Sequence, residues 1–143
     1  METTVTRFFE RYAALFNRAL KAETGMDEVA TLYASAFIAA SPAGVTAGHN
    51  DAALKQAMAD GYERYRRMGT KEMRLRDIRV SVIDDRHCLA GLDWTATYAR
   101  QGRDDVAIDF EVHYLVQILD GGPRVFGWIA GDEDALLRRH GIL

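Results

Sequence analysis

The stretch DVAIDFEVHYLVQIL, residues 105 to 119, alternates apolar and polar side chains with a period of two. Successive strand residues point to opposite faces, so Phe110, Val112, Tyr114, Val116 and Ile118 share one side. Asp109, Glu111, His113 and Gln117 share the other. One buried face and one solvated face is the pattern of an antiparallel sheet covered on a single side.

Outward from this strand the same period persists. Residues 72–84, 87–100 and 124–130 predict three further long strands, separated by DDR, RQGRDD and DGGP, all rich in turn formers. Trp94 and Tyr98 are expected on the apolar side of the preceding strand, and Phe126 and Trp128 on that of the following one.

Before residue 70 the period is helical. Phe8, Phe9, Tyr12, Leu15, Phe16, Ala19 and Leu20 make one face of a first helix reaching about Ala22. After Gly25, a shorter second helix carries Met26, Val29, Leu32 and Tyr33 on one side. SAFIAASPAGVTAG, with Pro42 and Gly44, predicts two short strands and a turn. Asn50 is expected to cap a third helix whose apolar face is Leu54, Met58, Tyr62, Tyr65 and Met68, ended by Gly69. Asp132 and Gly141 bracket a final helical turn. Three helices ahead of a long meander predict an α+β fold, with the helices covering the apolar face of the sheet.

The chain has 143 residues, 48% of them hydrophobic, which predicts one domain over residues 1–143. A net charge of -3, with basic and acidic residues interleaved, gives no broad basic face, so no nucleic-acid partner is expected. The cluster from Arg64 to Arg76 is accounted for by a helix C-terminus, where positive side chains oppose the macrodipole. Cys88 is the one cysteine and lies in an apolar strand, which suits a reducing compartment. The charged N-terminus lacks a signal-peptide core, and no run approaches the roughly 18 apolar residues of a membrane span. A soluble cytoplasmic protein with no membrane partner is the expectation.

The order of elements, with ERYAALFN on the first helix, a short-strand hairpin, GHNDAAL opening the third helix and VHYLVQI before the final strand, resembles the NTF2-like superfamily. The resemblance implies a cone: helices held in a curved antiparallel sheet, with a pocket at the open end. It also implies a homodimer joined through the outer sheet face, where the stripe Asp109, Glu111, His113, Leu115 and Gln117 lies. Members include ketosteroid isomerase, scytalone dehydratase, polyketide cyclases and many noncatalytic proteins, so the fold leaves function open.

The ketosteroid isomerase pattern carries over at one position of three. Its helix-one tyrosine falls on Tyr12, its general base before a proline falls on Ser41 in AASPAG, and its neutral aspartic acid falls on Val112. A serine without its own base removes no carbon-bound proton, and valine donates no hydrogen bond, so that isomerisation is not expected.

The remaining acid/base candidates are His49, the residue type that exchanges protons near neutrality, and Tyr12 as donor. Candidate ligand-lining residues are Phe16, Phe37, Ser41, Met58, Tyr62, Trp94, Val112, Tyr114, Phe126 and Trp128, because bulky apolar walls with sparse polar groups line small-molecule pockets. Asp109, Glu111 and His113 have metal-compatible chemistry. Neighbours on one strand face stand roughly 7 Å apart, however, a poor spacing for one ion, so no metal is expected. No phosphate loop, HExxH or nucleophile elbow is present, and no cofactor is expected. The reading is a small-molecule-binding protein for an apolar or aromatic ligand, and, if an enzyme, a cofactor-free lyase or isomerase. The alternative is a noncatalytic homodimeric interaction module whose pocket is filled by its own side chains.

Overall fold

A computed structural model describes residues 1–143. The elements run α1 (Glu2–Leu20), α2 (Met26–Ala30), β1 (Tyr33–Ser41), β2 (Gly44–His49), α3 (Ala52–Arg67), β3 (Thr70–Asp84), β4 (His87–Arg100), β5 (Arg103–Leu119), β6 (Gly122–Ala130) and α4 (Glu133–Arg139). The fold is α+β, as the two sequence periods require.

The sheet has six strands in the order β2-β1-β6-β5-β4-β3. β3 to β6 form the antiparallel meander. β1 then lies parallel to the free side of β6, and β2 folds back on β1 as the outer edge. β5 and β6 begin earlier than their sequence patterns because the turns before them are tighter, while β4 keeps the expected bounds. RQGRDD contributes only Gln101 and Gly102 to a turn, with Gly102 at φ +68°, a conformation that glycine adopts without steric cost.

The alternation of β5 holds. Ile108, Val112, Tyr114 and Val116 are buried, and they face Ala96, Leu92, Ala90 and Cys88 across the β4 ladder. α1 lays Val5, Phe9, Leu15 and Ala19 onto this surface, and together they form the main core with the fully enclosed Trp94. A smaller cluster of Ala96, Tyr98, Ile108 and Leu137 holds α4 against the sheet.

Two asparagines act as backbone substitutes. Asn17 Nδ2 donates to the Met73 carbonyl at 2.8 Å while its Oδ1 accepts from the Met73 amide at 2.8 Å, pairing the edge strand β3 with α1. Asn50 does not cap α3 as expected. Its Nδ2 donates to the Ala30 and Tyr33 carbonyls, tying the end of β2 to the α2–β1 junction. The cap is Asp51, whose carboxylate accepts from the Leu54 amide at 3.0 Å.

Three further expectations are corrected. α1 ends at Leu20 rather than Ala22, which sits at φ 56°. Tyr33 begins β1 instead of ending α2, because pairing with Val125 draws it into the sheet. Phe126 does not share the face of Trp128. Val116 pairs with Val125 and Leu115 with Gly127, leaving Phe126 as the extra residue of a bulge. The bulge sends its ring away from the core, against the outer-face His87 at a centroid distance of 6.1 Å.

Candidate functional site

Between the concave face of the sheet and helices α1, α3 and α4 lies a cavity of about 640 Å³. Tyr12 and Phe16 reach it from α1 at a spacing of four, which puts both on one helix face. Met58, Tyr62 and Tyr65 reach it from α3 at the same periodicity, and Phe110, Val112 and Tyr114 reach it from alternate positions of β5. Trp128 closes the β6 side, and α4 lies across the far end. A more open hollow of about 390 Å³ between α1 and β3 is lined by Asn17, Lys21, Lys71, Glu72 and Arg74, with Met73 and Leu75 as its apolar part.

The cavity floor is an aromatic cluster with hydroxyls inside it. The Tyr12 and Tyr33 hydroxyls are 2.8 Å apart, so one donates to the other. Tyr12 also packs its ring against Phe9, Tyr114 and Trp94, with centroids 5.5–6.2 Å apart. Burial holds the Tyr12 and Tyr33 pKa values well above the ordinary phenol value. It also raises that of Tyr114, a rise opposed by Tyr12 and Trp94. These phenols therefore remain protonated donors rather than bases. Trp94 Nε1 makes no hydrogen bond within the chain.

The opposite end, under α4, is polar in a different way. Glu133 borders the cavity there with Tyr65, Tyr98 and Thr70. Although Glu133 as a residue is exposed, desolvation raises its carboxyl pKa, with Tyr65 and Arg64 opposing the shift. α4 is held in place by Leu137 in the core and by Arg64, whose guanidinium donates to Asp134 at 3.0 Å.

A family model described as an NTF2-like protein (DUF6841) matches residues 2–133. The chain belongs to this NTF2-like family. Solved structures agree in fold: an NTF2-like protein with a cystatin-like fold from Novosphingobium aromaticivorans superposes with a TM-score of 0.71 at 12% identity, covering 99% of this chain and 88% of that one. An NTF2-like protein of unknown function from Shewanella oneidensis gives 0.67 at 14% identity, covering 92% and 100%. A candidate scytalone dehydratase, also from Novosphingobium aromaticivorans, gives 0.66 at 12% identity, covering 90% and 80%. No curated protein matches the sequence. No helix is long and apolar enough to cross a membrane.

Within this NTF2-like cone, Tyr12, Phe16, Met58 and Tyr62 meet Val112, Tyr114 and Trp128 around one cavity, as their periodicities imply. The other candidates lie elsewhere. His49, the acid/base candidate, ends the outermost strand β2, where it pairs with Ala36 of β1, and does not line the cavity. Gly48 faces the Phe37 ring, and His49, one residue further, points to the other side of the sheet. Ser41 is exposed at the β1–β2 turn, where its Oγ accepts from the Ala43 amide at 3.2 Å. Phe37 stacks on Trp128 at 5.2 Å without lining the cavity. Trp94 projects from the same concave face as Trp128, since they pair with Phe110 and Tyr114 of β5, but it is sealed in the core at 0% exposure. Phe126 is outside, on its bulge.

Asp109 and Glu111 edge the cavity, but their carboxylates belong to the outer face. Asp109 accepts from Thr95 Oγ1 at 2.6 Å and lies 3.6 Å from Arg76, and Glu111 is 3.0 Å from Arg79 and 2.9 Å from His113. The stripe of possible metal ligands is a lattice of ion pairs.

Residues not anticipated at the site are Tyr33, Tyr65, Tyr98, Thr70, Phe110 and Glu133. Tyr65, Tyr98 and Phe110 stand in phase with their apolar faces, a signal present in the sequence. Glu133 carried none, since a carboxylate in the first turn of a helix is fully explained by the macrodipole.

Proposed function

We propose that this NTF2-like chain binds a small, largely apolar or aromatic molecule in the cone cavity. The observation carrying the reading is the cavity itself: about 640 Å³ of open space walled by aromatic rings, with a few hydroxyls and one carboxyl converging on it. That is the composition of a small-molecule site. An open cavity favours this reading over an interaction module filled by its own side chains. Native mass spectrometry of protein purified from its own host tests it: a retained small molecule is expected, and loss of that mass on Trp128→Ala would assign it to the cavity. Protein without bound mass, and no binding across a library of flat apolar compounds, would overturn the reading.

If turnover occurs, the chemistry that fits is cofactor-free lyase or isomerase chemistry, with Tyr12 as hydrogen-bond donor. The candidate scytalone dehydratase among the structural neighbours is compatible with this class. His49 has no part in it. Ketosteroid isomerisation is not expected, because Val112 offers no donor and Ser41 stands at an exposed turn. Rapid conversion of a Δ5-3-ketosteroid would refute that exclusion.

We also infer a homodimer through the outer sheet face, and a cytoplasmic setting in keeping with the buried free thiol of Cys88. Leu115 and the exposed Ile38 (41%) and Ile129 (51%) form an apolar patch beside the charged lattice. Gly127 lies between Ile38 and Leu115, where a Cβ would approach their side chains to 2.9 and 3.0 Å. A patch of this mixed character, repeated by a twofold axis, suits a self-complementary interface.

A further inference from the structure

Tyr12, Tyr33, Tyr62 and Tyr114 all line the cavity, and their hydroxyls do not satisfy one another. Tyr12 and Tyr33 share one bond, which occupies one proton. Tyr62, on α3, is 9% exposed; burial raises its pKa, and no hydrogen bond opposes or adds to that rise. Tyr114, on β5, is 6% exposed; burial raises its pKa, while Tyr12 and Trp94, which approach its oxygen as donors, oppose the rise. An indole N–H accepts nothing, and the pKa of Tyr12, raised first by burial, is raised further by its approach to Tyr114, as that of a donor is. The Tyr114 proton therefore finds no acceptor in the chain.

Both unpaired hydroxyls stay open to the cavity. The side-chain polar atoms that protein seals off without a partner are Thr70 Oγ1 and Trp94 Nε1, and the oxygens of Tyr62 and Tyr114 are not sealed in this way. Both residues are more than nine-tenths buried and line the cavity, so the surface their oxygens keep faces into it. A buried donor without an acceptor is costly, and a ligand oxygen recovers that loss. No cation stands beside these hydroxyls: Arg139, the one basic residue at the cavity, belongs to α4 at the other end.

We propose that the cavity recognises a carbonyl oxygen on an apolar or aromatic ligand, with the Tyr114 hydroxyl as its first donor and the Tyr62 hydroxyl as a second. A carbonyl brings lone pairs and no proton, matching a site that offers protons and lacks acceptors. Tyr114 is the stronger of the two donors, because a hydroxyl that is itself approached by donors is polarised along the chain of hydroxyls from Tyr33 through Tyr12. A carboxylate would lose its hydration here without gaining a counter-charge. This assignment rests on the cavity being a ligand site, and it adds the class of ligand.

The test is isothermal titration calorimetry of the whole chain with three probes of one shape: tetralin, 1-tetralone and tetralin-1-carboxylate. The ketone is expected to bind at least as tightly as the hydrocarbon, although water solvates it better, and the carboxylate most weakly. Tyr114→Phe should weaken the ketone about tenfold and Tyr62→Phe several-fold, with tetralin unchanged in both. Isotope-edited infrared spectra of bound 1-tetralone supply a readout on the native chain: the carbonyl stretch should lie below its frequency in hexane and return toward it in Tyr114→Phe. A native complex with the hexane frequency, or ketone affinity unchanged in both folded variants, overturns the carbonyl assignment, and bound tetralin then leaves the cavity reading standing. Preference for the carboxylate overturns it in favour of a charged ligand. Binding of none of the three removes the cavity reading and the carbonyl assignment together.

Discussion

The Tyr12 and Tyr33 hydroxyls, 2.8 Å apart, join α1 to the first residue of β1 at the floor of the cavity. This bond links the helix that fills the cone to the strand that extends the sheet beyond β6. Tyr33→Phe leaves the Tyr12 hydroxyl without its partner, so a loss of about 1 kcal/mol is expected in urea unfolding. Tyr12→Phe should cost a similar amount. The double variant should lose clearly less than the sum, because the two changes remove one shared interaction. Strict additivity would mean that the bond contributes nothing.

Alkaline pH should unfold the protein through its tyrosines. All six, Tyr12, Tyr33, Tyr62, Tyr65, Tyr98 and Tyr114, have pKa values raised chiefly by burial, that of Tyr98 to about 12. An unfolded tyrosine titrates near about 10. Raised folded values mean that the stabilisation is fully present below that pH and is lost as pH rises through the folded values. Tyrosinate absorbance should therefore stay low through about pH 10 and then rise together with the loss of circular dichroism. A gradual rise near pH 10 with the fold intact would contradict the burial of these hydroxyls.

The two tryptophans should separate stability from binding. Trp94 is wholly enclosed, and Trp94→Ala is expected to cost about 3–5 kcal/mol. Trp128 is half-buried at the cavity wall and stacked on Phe37, so Trp128→Ala should lower the melting temperature much less. It should weaken 2-(hydroxymethyl)naphthalene binding markedly. Equal destabilisation by the two changes, with unaltered affinity, would reduce Trp128 to ordinary core.

The proposed dimer gives a fourth expectation. Sedimentation equilibrium should report two chains at micromolar concentration, and Ile129→Asp should yield a folded monomer, because a carboxylate in the apolar patch would be buried unpaired. A native chain that sediments as a monomer rules out the interface.

What the sequence determined by itself was whatever depends on near neighbours. The alternation through residues 105–119 put Phe110, Val112 and Tyr114 on one face, and helical spacing did the same for Tyr12 with Phe16 and for Met58 with Tyr62. Side-chain direction follows from backbone period, and period is a local property. The α+β class followed from where that period changes.

Tertiary structure decided which positions on those faces meet. Phe126 reads as in phase with Trp128, yet the pairing of Val116 with Val125 and Leu115 with Gly127 inserts a bulge and turns it outward. His49 and Ser41 sit in plausible sequence contexts, but pairing β1 beside β6 carries their hairpin to the sheet edge. Glu133 reached the cavity because Leu137, four residues on, packs under Tyr98 and Ile108 and brings the first turn of α4 across its end. Register, bulges and helix docking are set by which distant surfaces bury best together, and no local pattern in the chain records that competition.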